Sequence, residues 1–187
     1  MPVRLVVAVT GASGTIYAKR LLEALRDLGV EAHLVVSEAA ETVIRHELGM
    51  TRQELEGLAT RAYPVRDLEG PLVSGSFKTD GMVVIPCSMK TLAGICQGYS
   101  DDLILRAADV AMKEKRRLIL VPRETPLSVV HLRNMLDLAE QGVVILPAMP
   151  AYYHRPGSVE ALVDHVVGKV LDLLGIEHEL YARWGGA

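Results

Sequence analysis

Short apolar runs alternate along the chain with longer segments in which apolar residues recur at helical spacing. A continuous short apolar run predicts a buried strand, and the helical spacing predicts an amphipathic helix. Strands are therefore predicted at 3–10, 31–37, 81–87, 118–122 and 143–147. Helices are predicted between Gly14 and Gly29, over 38–48, briefly from Thr51, and over 90–97, 101–115, 128–141 and 158–174. Residues 63–80, rich in Gly, Pro and Ser, are predicted to form a loop.

The order of these elements predicts an α/β fold with a mainly parallel sheet. Strands that are apolar almost throughout are covered on both faces, whereas a half-exposed antiparallel sheet shows regular alternation of apolar and polar residues. We therefore expect an open, doubly wound sheet in a three-layer α/β/α architecture. Ligands of such sheets bind beyond the carboxyl ends of the strands. The loops after Thr10, Val36, Pro86, Val121 and Leu146 are the places where we expect chemistry.

Composition restricts the class of protein without identifying its activity. The 187 residues fit one domain, 1–187. A net charge of −3 provides no excess of basic residues for binding nucleic acid or an anionic membrane. The hydrophobic fraction of 50% is high for a soluble chain, so we expect apolar surface to be buried between subunits.

Cysteine and histidine usage adds two expectations about compartment and metals. The two cysteines lack the further partners of a disulfide framework or a zinc site, and the apolar run at 3–9 is too short to cross a bilayer. We therefore expect a cytoplasmic protein that has no membrane segment. His131 and His165 have no partners at metal-ligand spacing, so no metal site is expected.

Two turns at predicted strand ends are suited to binding an anion. The turn Gly11–Gly14 allows backbone N–H groups to approach an anion at the start of a helix. It lacks the full G-x-G-x-x-G pattern and is followed by no P-loop lysine, which disfavours NAD and ATP sites. Ser88 and Thr91 open another helix and offer a second phosphate-binding or ring-binding turn. The structural alternatives are a tight turn of small residues at the first and an ordinary helix cap at the second.

The loop that begins at Arg123 is the most reaction-like segment of the sequence. It places a fixed cation, the ionisable carboxylate of Glu124 and a hydroxyl at the expected ligand edge. An exposed ion pair is the alternative interpretation. Tyr153 follows another predicted strand, where it either binds a ligand or packs the loop. Pattern alone does not distinguish Lys113 and Lys169, which lie on predicted helices, from solvated surface charges.

A series of sequence blocks, taken in their order along the chain, resembles the UbiX-type flavin prenyltransferases. The blocks are V-T-G-A-S-G at 9–14, G-S-F-K-T at 75–79, I-P-C-S-M-K-T-L at 85–92, L-R-A-A-D-V at 105–110, V-P-R-E-T-P-L at 121–127, P-A-Y-Y-H-R-P at 150–156 and A-R-W at 182–184. The resemblance spans essentially the whole chain. It implies a flavodoxin-like, Rossmann-like fold, FMN bound between subunits, and a homo-oligomer that is commonly a dodecamer built from trimers.

The resemblance also implies which residues form the site. The FMN-binding set is Gly11, Ala12, Ser13, Ser37, Ser88, Met89, Lys90, Thr91 and Arg123. Tyr153 and Lys169 are implied to contact dimethylallyl phosphate, and Arg106, Lys113 and Glu124 to lie near the phosphate or the reacting atoms; Glu47 completes the catalytic set. Within it, Glu124 is expected to transfer protons and Ser13 to be positioned near flavin N5. Arg106, Lys113 and Lys169 are expected to stabilise the phosphate.

The reaction implied by this family joins dimethylallyl C1 to N5 of reduced FMN and C3 to C6, with release of phosphate. FMN is thus a substrate, and its prenylated form serves a separate UbiD-type decarboxylase. Two alternatives stay open. One is an FMN-dependent cysteine decarboxylase, a group that typically carries a P-A-S-A-N-T block where this chain has Ser88–Thr91. The other is a flavin-binding subunit without catalytic activity.

Overall fold

The computed structural model describes residues 3–185 and contains one parallel sheet and the helices that cover it. The strands are β1 (Arg4–Val9), β2 (Glu31–Val36), β3 (Arg61–Tyr63), β4 (Gly81–Cys87), β5 (Arg117–Pro122) and β6 (Val144–Ile145). The helices are α1 (Thr15–Asp27), α2 (Glu38–Leu48), α3 (Arg52–Glu56), α4 (Met89–Cys96), α5 (Leu103–Lys113), α6 (Val129–Glu140) and α7 (Val159–Leu174). Within 3–185, no helix is both long and apolar enough to cross a membrane.

The strand order confirms the doubly wound fold. The six strands pair in the order β3-β2-β1-β4-β5-β6, and every pair is parallel. The chain therefore builds outward from β1 to β3, returns to the centre, and builds outward in the other direction from β4 to β6. Such a reversal opens a crevice beyond the carboxyl ends of the two central strands, β1 and β4.

Alternate residues of the central strands enter two separate hydrophobic cores. Leu5, Val7 and Val9 of β1 belong to the core formed with α1, α2 and α7. Val6 and Ala8 belong to the core formed with α4, α5 and α6. Side chains of a strand alternate between the two faces of the sheet. Because both faces are covered, β1 shows a continuous apolar run rather than a period of two.

The structure corrects the predicted elements at both edges of the sheet. Strand β3 was not predicted, because its three residues at the edge include an exposed arginine and carry no alternating pattern. The predicted strand at 143–147 is reduced to Val144–Ile145, although Leu146 and Ala148 still donate backbone hydrogen bonds to β5. Helix α5 begins at Leu103 rather than 101, because Asp102 is its cap and accepts the Leu105 N–H at 2.9 Å.

One face of α6 leaves apolar side chains in contact with solvent. Val129, Val130, Leu132 and Leu136 are between 52% and 62% exposed. Met149, in the loop after β6, is 70% exposed. Apolar residues that are clustered in this way on a surface mark an interaction site. We call these five residues the α6 face.

Candidate active site

Thr10 fixes the two central strand ends relative to each other. Its hydroxyl donates a hydrogen bond to the Pro86 carbonyl at 2.7 Å and accepts one from the Ser88 N–H at 2.8 Å. The side chain is buried, and both bonds cross from the end of β1 to the end of β4. The turn after β1 and the turn after β4 are therefore held as one unit. Thr10 was not among the predicted site residues, although it lies within the V-T-G-A-S-G block.

The helices α2 and α4 begin on opposite sides of a cleft of about 390 Å³. Ser37 caps α2 by accepting the Ala40 N–H at 3.1 Å, and Ser88 caps α4 by accepting the Thr91 N–H at 3.3 Å. The Ser88 hydroxyl also donates to Thr91 Oγ1 at 3.1 Å. Two helix N-termini that face one cleft favour a bound anion, since each end carries partial positive charge.

Two cations complete this cleft. Lys90 lies on its wall, 69% exposed, and its Nζ is 3.6 Å from Asp102. Arg66 also lines the cleft and is paired with Glu38 at 3.1 Å. Arg66 was not predicted, because it falls in the segment that the sequence identified only as a loop. A phosphate in the cleft would therefore meet hydroxyls, backbone N–H groups and positive side chains together.

Gly11 allows the turn after β1 to pass directly under α2. A Cβ at this position would lie 2.6 Å from the Cβ of Ala39, which is closer than two carbon atoms can approach. Ala12 is buried beside it, whereas Ser13 is exposed. The glycine therefore serves a close contact within the protein, and the exposed hydroxyl of Ser13 stands at the ligand edge.

The carboxylate of Glu47 occupies the N-terminus of α1. It accepts the N–H groups of Gly14 and Thr15 at 2.9 Å each and the Thr15 hydroxyl at 2.8 Å. Burial would raise the pKa of Glu47, but hydrogen bonds from Ser13, Gly14 and Thr15 lower it overall. This corrects the expectation of an external anion at the start of α1, because a side chain of the protein already satisfies those donors.

Arg123 and Glu124 lie together at the end of β5, beside a pocket of about 210 Å³. The Nε atom of Arg123 is buried and has no hydrogen-bond partner among residues 3–185. Glu124 is exposed, and its carboxylate accepts only the N–H of Thr125, at 3.1 Å, within that same range. In the described part of the chain the two side chains do not form an ion pair with each other. The alternative of a surface ion pair is therefore not supported, and a buried donor is left for a ligand.

Tyr153 and Lys169 lie in a second group of residues around α7. The ring of Tyr153 contacts the ring of His165 with centroids 6.0 Å apart, and its hydroxyl donates to the Ala182 carbonyl at 3.1 Å. Lys169 follows His165 by one helical turn, so the two share a face of α7. Its Nζ lies 3.7 Å from Asp172. Of the two predicted donor-binding residues, Lys169 therefore lies on α7 and Tyr153 packs against the same helix through His165.

Arg106 and Lys113 do not join the other candidate residues within one subunit. The Arg106 guanidinium binds the Val73 carbonyl at 3.2 Å and Asp109 at 2.6 Å. Lys113 is the last residue of α5, shortly before β5 begins, and is paired with Glu114 at 3.1 Å. The start of a parallel strand lies at the opposite edge from its carboxyl end. Lys113 therefore lies away from the ligand edge of its own chain, while Arg106, near the start of α5, is held by Val73 and Asp109.

The Flavoprotein family profile matches residues 1–177. The chain is 53% identical over 184 residues to a probable UbiX-like flavin prenyltransferase from Bacillus subtilis, covering 98% of this chain and 90% of that protein.

Two solved structures are similar over nearly their full length. The structure of AnUbiX (PadA1) in complex with FMN and dimethylallyl pyrophosphate has a TM-score of 0.98 and 49% identity, with 100% of both chains covered. The dodecameric FMN-dependent UbiX-like decarboxylase from Escherichia coli O157:H7 has a TM-score of 0.96 and 50% identity, covering 98% of this chain and 100% of that one. The peptidyl-cysteine decarboxylase EpiD, at 16% identity and a TM-score of 0.67, shares the fold alone.

Replacing Glu47 with Gln tests the cap on α1. Gln keeps the size of the side chain but loses the charge and one acceptor oxygen, so we expect the free energy of unfolding to fall by about 0.5–2 kcal/mol at neutral pH. The lowered pKa of Glu47 means that its contribution is complete above the ordinary value of 4.5 and is lost as the pH falls through the lowered pKa. The difference between wild type and variant should therefore shrink in acid.

Urea unfolding followed by circular dichroism measures this difference. Glu41→Gln is the matched control, because Glu41 lies on the same helix in an exposed pair with Arg45 and touches no helix end of α1. Equal stability of Glu47→Gln and wild type at neutral pH would show that the cap contributes nothing.

Proposed function

Because the chain belongs to the UbiX-like flavin prenyltransferase family, we propose that it transfers a dimethylallyl group from dimethylallyl phosphate to N5 and C6 of reduced FMN. The observation that carries this proposal is the full-length similarity to a flavin prenyltransferase, together with an anion cleft and an Arg-Glu loop at one edge of the sheet. FMN is then the prenyl acceptor, and phosphate and prenylated FMN are the products.

The cleft between α2 and α4 is suited to the FMN phosphate. Ser37, Ser88 and Thr91 would supply hydroxyls, and the first N–H groups of both helices are directed into the same space. Met89 and Lys90 begin α4, so their backbone N–H groups belong to this set of donors. Arg66 joins the predicted residues here. The partial positive charge of the two helix N-termini favours a dianionic phosphate there, whereas the formal charges of Arg66 and Lys90 are matched by Glu38 and Asp102.

The flavin ring system would lie between the turn after β1 and the loop after β5. The buried Nε of Arg123, which has no partner among residues 3–185, supports this placement because a ring carbonyl would satisfy it. Gly11 and Ala12 would contact the ring through their backbone, and Ser13 offers an exposed hydroxyl that Glu47 orients.

Glu124 is the group that we assign to proton transfer. Reduced FMN supplies the nucleophilic N5 and C6 atoms. Formation of the N5–C1 bond expels phosphate and releases the N5 proton, whereas closure of the C6–C3 bond requires a proton at C2 of the prenyl alkene and releases the C6 proton. The carboxylate of Glu124 is exposed at the pocket and has no cationic partner in the described residues, so it is free to accept and return a proton. Met135, Pro147 and Met149 line the same pocket and would exclude water from an allylic cation.

The phosphate of the prenyl donor requires cations from two subunits in this proposal. Tyr153 and Lys169 lie around α7, whereas Arg106 and Lys113 lie on α5, so the two pairs belong to different elements of one chain. We infer that Arg106 and Lys113 serve the site of a neighbouring subunit. The dodecameric relative supports a homo-oligomer, and the exposed α6 face gives it an apolar contact surface. A dodecamer built from trimers is the assembly that we propose.

The two alternative functions receive less support from the structure. Cysteine decarboxylases share only the fold with this chain, at identities too low to carry an activity. A non-catalytic flavin carrier would not need Glu124 free of cationic partners at the pocket.

We further propose that the prenylated FMN passes to a UbiD-type decarboxylase and that the reaction takes place in the cytoplasm, a compartment that the two free cysteines suit.

Mass spectrometry of the bound flavin tests the reaction directly. The purified protein is incubated without oxygen with reduced FMN and either dimethylallyl phosphate or dimethylallyl pyrophosphate, and the flavin is then extracted. We expect a flavin heavier than FMN by one C5 unit with at least one donor. Unchanged FMN with both donors, from protein that decarboxylates a peptidyl cysteine, would establish the alternative enzyme instead.

Replacing Glu124 with Gln should separate binding from chemistry. Gln preserves shape and hydrogen bonding but removes reversible proton transfer, so single-turnover prenylation should slow by about 10²–10⁴. FMN affinity should be unchanged, because Glu124 forms no ion pair with Arg123 in the described residues. Glu140→Gln, an exposed change on α6, is the control. A wild-type rate constant in Glu124→Gln would remove this carboxylate from the mechanism.

A further inference from the structure

The carboxylate of Asp172, on α7, is hydrogen-bonded to residues that follow this helix near the C-terminus. The hydroxyl of Tyr181 donates to its Oδ2, and Nη2 of Arg183 donates to its Oδ1 at 2.8 Å. The Nε2 atom of His178 lies 3.1 Å from the same Oδ1. Only 18% of the Asp172 side chain is exposed. We call residues 178–185 the C-terminal segment; one carboxylate therefore binds it at three positions.

The charges in this group favour a fixed arrangement. Burial would raise the pKa of Asp172, but hydrogen bonds from Arg183, Tyr181 and His178 together lower it to about 2. Burial and the bond to Asp172 raise the pKa of Tyr181 to about 12. Asp172 is thus ionised and Tyr181 is protonated over the whole pH range in which proteins function. Hydrogen bonds to an ionised acceptor are roughly twice as strong as neutral ones.

A glycine on α7 makes room for the same segment. A Cβ at Gly168 would lie 2.4 Å from Cδ1 of Tyr181 and 2.7 Å from Cε1 of His178. Any residue with a side chain at this position would therefore displace the rings of Tyr181 and His178. The ring of Tyr181 also packs on His165, with centroids 4.8 Å apart. Shape and charge thus act together to hold the C-terminal segment against α7.

The held segment in turn contacts Tyr153. The hydroxyl of Tyr153 donates to the carbonyl of Ala182 at 3.1 Å, and the ring of Trp184 meets the ring of Tyr153 edge-on at 5.2 Å. Asp172 also lies 3.7 Å from Nζ of Lys169. Two of the residues that the proposed function assigns to the prenyl donor, Tyr153 and Lys169, are therefore linked to Asp172, one through the segment and one directly.

We propose that Asp172 is a positioning residue, which holds the C-terminal segment on α7 so that Tyr153 and Lys169 are kept in place to bind the phosphate of the allylic donor. This inference rests on the proposed function. Asp172 itself is directed at the segment and at Lys169 rather than at the Arg123–Glu124 pocket. Its loss should therefore affect the donor and leave the flavin phosphate cleft, whose lining does not include Asp172, unaltered.

The variant Asp172→Asn tests this role in the full chain, because it keeps the size of the side chain but removes its charge. We expect the KM for dimethylallyl phosphate to rise about tenfold or more, as suits the loss of a charge-assisted contact, with a smaller change in kcat. The dissociation constant for FMN should stay the same. Tyr181→Phe, which keeps the ring packing and loses one hydrogen bond, should raise the same KM by a smaller factor.

Asp164→Asn is the matched control. Asp164 lies on the same helix and is paired with Arg20 at 2.5 Å, and among the described residues it forms no hydrogen bond or ion pair with the C-terminal segment. A role of Asp172 in general stability would lower the melting temperature of Asp172→Asn and weaken FMN and donor binding together. That outcome, or a donor KM equal to that of Asp164→Asn, overturns the inference.

Trp184 provides a second measurement that does not depend on activity. It is the only tryptophan in the chain, so fluorescence excited selectively at tryptophan reports on the segment alone. In flavin-free protein, the fluorescence anisotropy should fall in Asp172→Asn and stay at the wild-type value in Asp164→Asn; unchanged anisotropy contradicts the inference.

A wild-type protein that fails to prenylate FMN overturns the proposed function and the donor role together, whereas prenylation with an unchanged donor KM in Asp172→Asn overturns the inference alone.

Discussion

The burial of a parallel sheet on both faces is the constraint from which the rest of the structure follows. Each strand end must be followed by a loop that leads into a covering helix, and in a parallel sheet all these loops emerge at one edge. The reversal between β1 and β4 leaves that edge open at its centre. Thr10 then joins the two central ends through a buried hydroxyl. The two strand ends that border the crevice are thus fixed relative to each other.

Charge decides how the helix ends at this edge are used. The start of α1 is neutralised by Glu47 from within the protein, whereas α2 and α4 direct their first N–H groups into a shared cleft with Lys90 and Arg66. Only the latter ends are available to a phosphate. At the other end of the site, Arg123 has a buried Nε donor without a partner among residues 3–185, and Glu124 has an exposed carboxylate. Binding and proton transfer are therefore assigned to different strand ends.

The sequence was sufficient for the four inner strands of the sheet, since β1, β2, β4 and β5 each combine a continuous apolar run with a turn signal. It was insufficient where an element is defined only by its neighbours, as with β3, whose three edge residues carry no pattern of their own. The loops after β1, β4 and β5 were located correctly because each loop directly follows in the sequence the strand whose carboxyl end it continues. Glu47 and Asp172 act on groups that lie on other elements, so their partners could not be predicted from spacing. For the same reason, the sequence did not show that Arg106 binds Asp109 and the Val73 carbonyl, or that Lys113 is paired with Glu114.

The relative affinity for FMN and riboflavin tests most directly whether the cleft between α2 and α4 binds the flavin phosphate. Isothermal titration of flavin-free protein with both compounds isolates the phosphate, which is the only group in which they differ. Replacing both Ser37 and Ser88 with Ala should reduce the preference for FMN by about tenfold to hundredfold, because each serine loses a hydrogen bond to a charged group, and should leave riboflavin binding unchanged. Ser128→Ala, which removes the cap of α6 instead, is the control. An unchanged preference for FMN in the Ser37 and Ser88 double variant would contradict this account of the site.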